Sequence, residues 1–296
     1  MAEIDKSSRT LVVEGKYRVS AKVGEGSFGK IYSGINSNTG EAIAIKIEKI
    51  SEHSILKHEA KIYKLLEGCH GIPKLRSFGQ EGVFNYMVID LLDDSLEEMR
   101  TTNGGSLSLK TVLMLGIQML YRIETIHSLG IIHRDIKPAN FLMKNTNELY
   151  LIDFGLARRY LEEDGAHIKQ ETSRKLTGTA RYASVNVHNG STPSRRDDLE
   201  AIGYTLLYLL NGKLPWQNIK SDDKTTRYKM IGEEKTSKAL WDHFKDSSIE
   251  FILYIDYCRK LQFDETPDYS YLRNMFENLF KLHGFVNDNN MFKVSD

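Results

Sequence analysis

Cysteine is scarce in this chain: only Cys69 and Cys258 occur, far apart and outside any Cys-x-x-Cys pattern. That argues against a disulfide framework or a zinc knuckle and fits a reducing compartment. Long apolar runs are missing too. The longest, Tyr204 to Leu210, is far shorter than the ~20 residues that cross a bilayer. Met1 to Thr10 carries charges and no apolar segment, so it reads as a loose leader and not as a secretory signal, and Met1-Ala2 lacks the glycine that myristoylation requires. Neither sign of charge prevails, because Lys plus Arg and Asp plus Glu number 40 each. No global field therefore favours nucleic acid or an anionic membrane, and neither is expected as a partner. Internal repeats and low-complexity tracts are also absent. A monomer in the cytoplasm, the nucleus or both is the expected state.

What is present is ample core material, with 41% hydrophobic residues in 296. Tyr17 to Glu48 is rich in β-branched and aromatic residues broken by glycine and by the turn Asn36-Ser37-Asn38-Thr39-Gly40, which predicts three antiparallel strands. A helix is predicted over Ile55 to Leu66, then strands around Lys74 to Gly79 and Phe84 to Leu91. Beyond Asp90 to Asp94 the pattern turns helical. Leu109 to Ser128 places Val112, Leu115, Met119, Ile123 and Ile126 at three-or-four spacing, and further helices are predicted around Asp198 to Leu210, Ser248 to Leu261 and Tyr269 to Leu282. A strand-rich part ahead of a helical part predicts a cleft, where ligands ordinarily sit.

Two short runs carry the chemistry. His133-Arg134-Asp135-Ile136-Lys137-Pro138-Ala139-Asn140 and Asp153-Phe154-Gly155 supply the acidic and amide groups that a magnesium-assisted phosphoryl transfer requires. Such a transfer needs little covalent help: its site holds metal ions, positions the incoming hydroxyl and neutralises developing charge. Asp135 is the candidate base, Lys137 is placed to meet the γ-phosphate, and Asn140 and Asp153 offer hard oxygen ligands to magnesium. Upstream, Gly24-Glu25-Gly26-Ser27-Phe28-Gly29 lies between two expected strands, where glycines let backbone amides approach phosphate oxygens. Alone, that run reads as an ordinary glycine hairpin, and a strand rather than a helix follows it, against a dinucleotide fingerprint. In Ile43-Ala44-Ile45-Lys46 the alternation puts Lys46 on a strand face from which it reaches α- and β-phosphates, and Glu59 on the next helix is placed to pair with it. A strand lysine and a helix glutamate are ordinarily just solvated, Asp135 alone would do as a helix cap, and Asp153-Phe154-Gly155 as a plain turn. All of them at matched spacing do not arise by accident.

The set resembles the eukaryotic protein kinases and, more narrowly, the casein kinase 1 family of serine/threonine kinases. The narrower resemblance rests on Leu176-Thr177-Gly178-Thr179-Ala180-Arg181-Tyr182-Ala183-Ser184, on Ser194-Arg195-Arg196-Asp197-Asp198-Leu199-Glu200, on Leu214-Pro215-Trp216-Gln217 and on Pro267-Asp268-Tyr269-Ser270-Tyr271-Leu272-Arg273. It implies an α+β, bilobal kinase fold over 17–285: an antiparallel-sheet lobe (17–89), a hinge (90–94) and a larger helical lobe (95–285), with 1–16 a leader and 286–296 a polar tail. It also implies ATP as donor, Mg2+, and protein substrates with acidic or phosphorylated residues N-terminal to the target serine or threonine. Around the nucleotide the resemblance places Val23, Gly24, Gly26, Ser27, Gly29, Ile31, Ala44, Lys46 and Glu59, with Ile89 as gatekeeper and the backbone of Asp90 to Leu92 against adenine.

Further roles follow from the same resemblance. Arg181 aligns with the family's anion-binding arginine, and Arg227, with Lys224 close by, falls where the family carries a second cationic group. Asn218 departs from the glycine common beside that pocket, and Asp222-Asp223 bring negative charge to it. Asp198 holds the backbone around His133 and Arg134. Ser184-Val185-Asn186 stands where most kinases carry Ala-Pro-Glu, so a buried ion pair is missing and other packing must replace it. Thr172 and Ser173 lie in the activation segment, yet the family is generally active without phosphate there, and constitutive activity is expected. The alternative is a kinase-shaped scaffold without turnover; such proteins typically lose the lysine, the base or the metal aspartate, whereas Lys46, Asp135, Asn140 and Asp153 are all present.

Overall fold

Short polar side chains mark where the backbone turns into helix. Ser54, Ser95, Ser108, Ser184, Asp223 and Asp268 each accept the backbone N–H three residues on, satisfying an amide that a first helical turn leaves orphaned. They open α1 (Ile55–Leu65), α2 (Leu96–Thr102), α3 (Leu109–Ser128), α4 (Val185–His188), α6 (Lys224–Thr236) and α8 (Tyr269–Leu282). The remaining helices are α5 (Arg195–Asn211) and α7 (Ile249–Lys260). The computed structural model describes residues 11–26, 29–237, 242–244 and 247–287. Ser27 of the glycine run, most of the expected leader and nearly all of the expected tail lie outside the described residues.

The chain divides into two compact units, one formed by 1–68 with 72–92, the other by 69–71 with 93–296. The first holds a six-stranded antiparallel sheet in the order β1-β2-β3-β4-β6-β5. Its strands are β1 (Val12–Val13), β2 (Tyr17–Gly26), β3 (Gly29–Asn36), β4 (Ala42–Lys49), β5 (Leu75–Glu81) and β6 (Phe84–Asp90). Side chains alternate between faces. One face gathers Val13, Tyr17, Ile43, Ile45, Tyr86 and Val88 into a buried cluster. On the other face the register sets Ile31 opposite Lys46 and Ala44 opposite Ile89, so these four lie together. Within the stretch read as a leader, Val12 and Val13 form β1: they pair with Arg18 and Tyr17, and Val13 fills the cluster.

The second unit is helical. α3 packs on α5 and α8, and α5 packs on α7. Every residue of α5 from Arg196 to Leu209 is buried, with α3 and α7 packed against this helix. α3 begins and ends where its periodicity predicts, and it hands the chain to β7 (Ile131–Ile132), which pairs with β10 (Arg158–Arg159). A second ribbon joins β8 (Phe141–Lys144) to β9 (Glu148–Leu151). α5 starts at Arg195, upstream of its predicted start, because the Asp197 carboxylate accepts the Ser194 N–H at 2.7 Å and closes the helix end there. Asp198 therefore lies inside the first turn of the helix. Among the described residues no helix is long and apolar enough to cross a membrane.

Candidate active site

Half of the expected site is built on the sheet of the first unit. The glycine run is the β2–β3 hairpin, with Gly24 opposite Ile31 and Gly26 opposite Gly29. Gly29 has φ 152°, and a Cβ there would stand 2.5 Å from the Ile47 carbonyl oxygen, so no other residue fits between the neighbouring strands. Val23 in the same strand is 53% exposed. Across the face, Lys46 and Glu59 are buried and joined by a 2.7 Å ion pair that ties β4 to α1. A buried pair this close stabilises little in net terms, but it fixes where the ammonium stands. At the end of β6 the Asp90 carboxylate accepts the Lys74 N–H at 3.0 Å and Arg76 Nε at 2.7 Å. Ile89 is half-buried, one residue before it, and Leu92 closes the unit.

The second unit carries its own group of expected residues around β7 and the two ribbons. Asp135 is buried, and both of its carboxylate oxygens are held: Lys137 Nζ donates to Oδ2 at 2.6 Å and Thr179 Oγ1 donates to Oδ1 at 2.8 Å. Asn140 Nδ2 donates to the Asp135 carbonyl at 2.9 Å, which leaves the Asn140 Oδ1 as the atom available to a cation. Ile152 N–H donates to the Asn140 carbonyl at 3.0 Å, so Asn140 lies beside the strand end that carries Asp153, which stands at φ 64°. An amide oxygen and a carboxylate on adjoining segments are the hard donors magnesium prefers.

Asp198 fixes the loop that presents Asp135. Its Oδ2 accepts the His133 N–H at 2.7 Å and lies 3.0 Å from His127 Nε2, while its Oδ1 accepts the Arg134 N–H at 2.8 Å. Those bonds hold Arg134 at a positive φ of 67°, a conformation side chains ordinarily avoid. The Asp135 N–H donates to His133 Nδ1 at 3.2 Å, which leaves the Nε2–H of that ring to donate to the Ile152 carbonyl at 3.0 Å. Gly178 presses on the same loop. Its φ is 85°, and a Cβ would come within 2.3 Å of the Arg134 carbonyl oxygen. Thr179, the next residue, is thereby delivered to Asp135.

Residues 17–267 match the family model described as protein kinase domain. The chain belongs to the protein kinase family. The expected bilobal kinase fold is the one found, an antiparallel-sheet N-terminal part followed by a helical one. Family membership also implies ATP and protein substrates.

Of the cationic residues read from the sequence, Arg181 and Arg227 line one cavity of about 640 Å³ in the helical unit of this kinase, together with Lys137, Thr179 and Glu97. The Arg181 guanidinium lies 5.6 Å from the Tyr208 ring centroid, and Arg227 Nε donates to the Ile219 carbonyl at 3.1 Å. Lys224 is exposed and is not part of that lining; its ammonium lies over the Tyr228 ring at 5.5 Å. Sequence reasoning singled out neither Thr179 nor Glu200. Thr179 carries no signal apart from its neighbours, because only the fold brings it to Asp135. Glu200 answers the missing Ala-Pro-Glu ion pair in part: it pairs with Arg259 at 3.1 Å and accepts the Val185 N–H at 3.2 Å, so a glutamate from α5 holds the segment from outside.

Asp197 introduces a pH dependence. Burial pushes its carboxyl up to about 6 against the bonds from Ser184 Oγ and the Ser194 N–H. A carboxyl raised above its unfolded value of about 3.9 favours folding when protonated, so this contribution is full below pH ~4 and is lost as pH rises through about 6. The loss by pH 7 is on the order of 3 kcal/mol. Asp197→Asn should flatten that fall, as read by urea unfolding at pH 4, 5.5 and 7. A variant whose stability tracks the parent's in parallel across the three values would show that Asp197 does not titrate in this window.

Proposed function

We propose that this kinase transfers the γ-phosphoryl group of ATP to serine or threonine hydroxyls of proteins, favouring targets that follow an acidic or phosphorylated residue, as in the casein kinase 1 family. The observation that carries the reading is the cavity in which Lys137, itself 2.6 Å from the Asp135 carboxylate, shares a wall with Arg181 and Arg227. Guanidinium forks bind phosphate or carboxylate through paired hydrogen bonds. An anionic side chain held there puts its peptide beside the proposed base. The negative charge read near this pocket is partly spent, because Asp223 caps α6 through the Thr226 N–H at 2.5 Å.

In this reading Asp135 takes the hydroxyl proton, Lys137 meets the γ-phosphate, and Lys46, oriented by Glu59, meets the α- and β-phosphates. Asn140 and Asp153 would hold Mg2+, which when bound neutralises charge on the phosphate oxygens. The test is transfer of labelled phosphate from MgATP to paired serine peptides with and without a phosphate three residues upstream, alongside a tyrosine peptide. The primed serine peptide should be preferred, and Arg181→Ala should cut that preference about tenfold or more, the usual effect of losing a charge-assisted bond. Equal rates on the two serine peptides would remove the anion pocket from the mechanism. No transfer to any peptide would leave the scaffold reading instead.

A further inference from the structure

Lys235 is the most deeply buried cation the site does not use. Its side chain on α6 has no exposed surface. Its Nζ donates to the Ala180 carbonyl at 3.0 Å and to the Ala183 carbonyl at 2.5 Å, and lies 3.2 Å from His188 Nε2. The rings of Tyr204 and Trp216 flank it at 4.7 and 5.0 Å. Between its two acceptors, the Arg181 carbonyl takes the Trp216 Nε1–H at 2.7 Å. Three carbonyls of one short segment are thus held by a platform of Lys235 and Trp216, and Arg181, in the middle of that segment, lines the cavity.

Burying an amine is costly, and what offsets the cost here is its bonds to the Ala180 and Ala183 carbonyls, which a methionine of similar length could not make. The segment it holds is also the one that lacks the Ala-Pro-Glu anchor, and Glu200 reaches it only at Val185. We propose that Lys235, with Trp216, positions Arg181 for the anionic group of the substrate, so that this pair sets the preference for phosphate-bearing or acidic peptides through the backbone that carries Arg181. The inference rests on the reading of the cavity as the anion pocket.

The test compares Lys235→Met, Trp216→Phe and Arg181→Ala on primed and unprimed serine peptides, with kcat and KM measured separately. Trp216→Phe keeps an aromatic ring and removes the N–H together with part of the indole, so it gives a second reading if Lys235→Met does not fold. Each of the two platform variants is expected to lower the primed-to-unprimed ratio of kcat/KM about three- to tenfold, the loss residing in the peptide KM and not in kcat. A lower melting temperature with an unchanged ratio in both would reduce the platform to packing and overturn the inference, while the anion pocket stood if Arg181→Ala still lost the preference. An unchanged ratio in Arg181→Ala would overturn the pocket itself and the inference with it.

Discussion

Asp135→Asn is expected to lower the rate of phosphate transfer about 10²- to 10⁴-fold, the usual cost of removing a general base. The substitution is close to isosteric, and the reason for expecting a folded protein is local. Asp135 receives Lys137 on one oxygen and Thr179 on the other, and an asparagine keeps one of those acceptors. What it loses is the second carboxylate oxygen and the negative charge, and with them the capacity to take a proton. Single-turnover transfer to a serine peptide, with nucleotide affinity measured separately, isolates the chemical step. A variant that retained the parent's rate would take the base role away from Asp135, and Lys137 would then have to be examined as the group that organises the hydroxyl.

Asp198→Ala carries the second large effect, and it falls on folding as well as on rate. The carboxylate is fully buried and satisfies the His133 and Arg134 amides and the His127 ring. Burial alone would raise its pKa, yet the bonds from His127 and from the His133 amide outweigh it and hold the carboxyl below the ordinary range. A depressed carboxyl stabilises fully above its unfolded value of about 3.9 and loses that contribution as pH falls through its folded value. Removing it at pH 7 leaves buried donors without an acceptor, at a cost of about 3–5 kcal/mol. Urea unfolding at pH 7 should show the loss, with the gap to the parent narrowing on the acid side. A variant with unchanged stability and a normal rate would mean that water supplies the missing acceptor.

Much of this was legible in the sequence, for reasons that differ from element to element. α3 could be read end to end because a long, one-sided apolar stripe has a period that no strand shares. α6 could not, since only Ile231, Gly232 and Lys235 of it are buried and its faces are polar nearly all round. α2 is only about two turns long, and its sole signature is the reciprocal pair of Ser95 and Glu98. The candidate phosphate and metal residues could be named because the chemistry demands particular side chains at fixed separations. Thr179, Glu200 and Lys235 were not, because each owes its place to a partner 15 to 55 residues away in the chain. Lys224 shares its stretch of sequence with Arg227, but it lies over Tyr228 and not on the cavity wall.

The missing Cβ of Gly178 has one more consequence. Because the turn at Gly178 rests directly on the backbone that precedes Asp135, the surface that would receive a peptide and the carboxylate that would act on it are mechanically one piece. A lineage of such enzymes cannot retune what it grips independently of how fast it reacts: a bulkier turn tilts both. Selectivity is then freer to change farther out along the cavity, at Arg227, whose side chain is held by the Ile219 carbonyl and not by this turn.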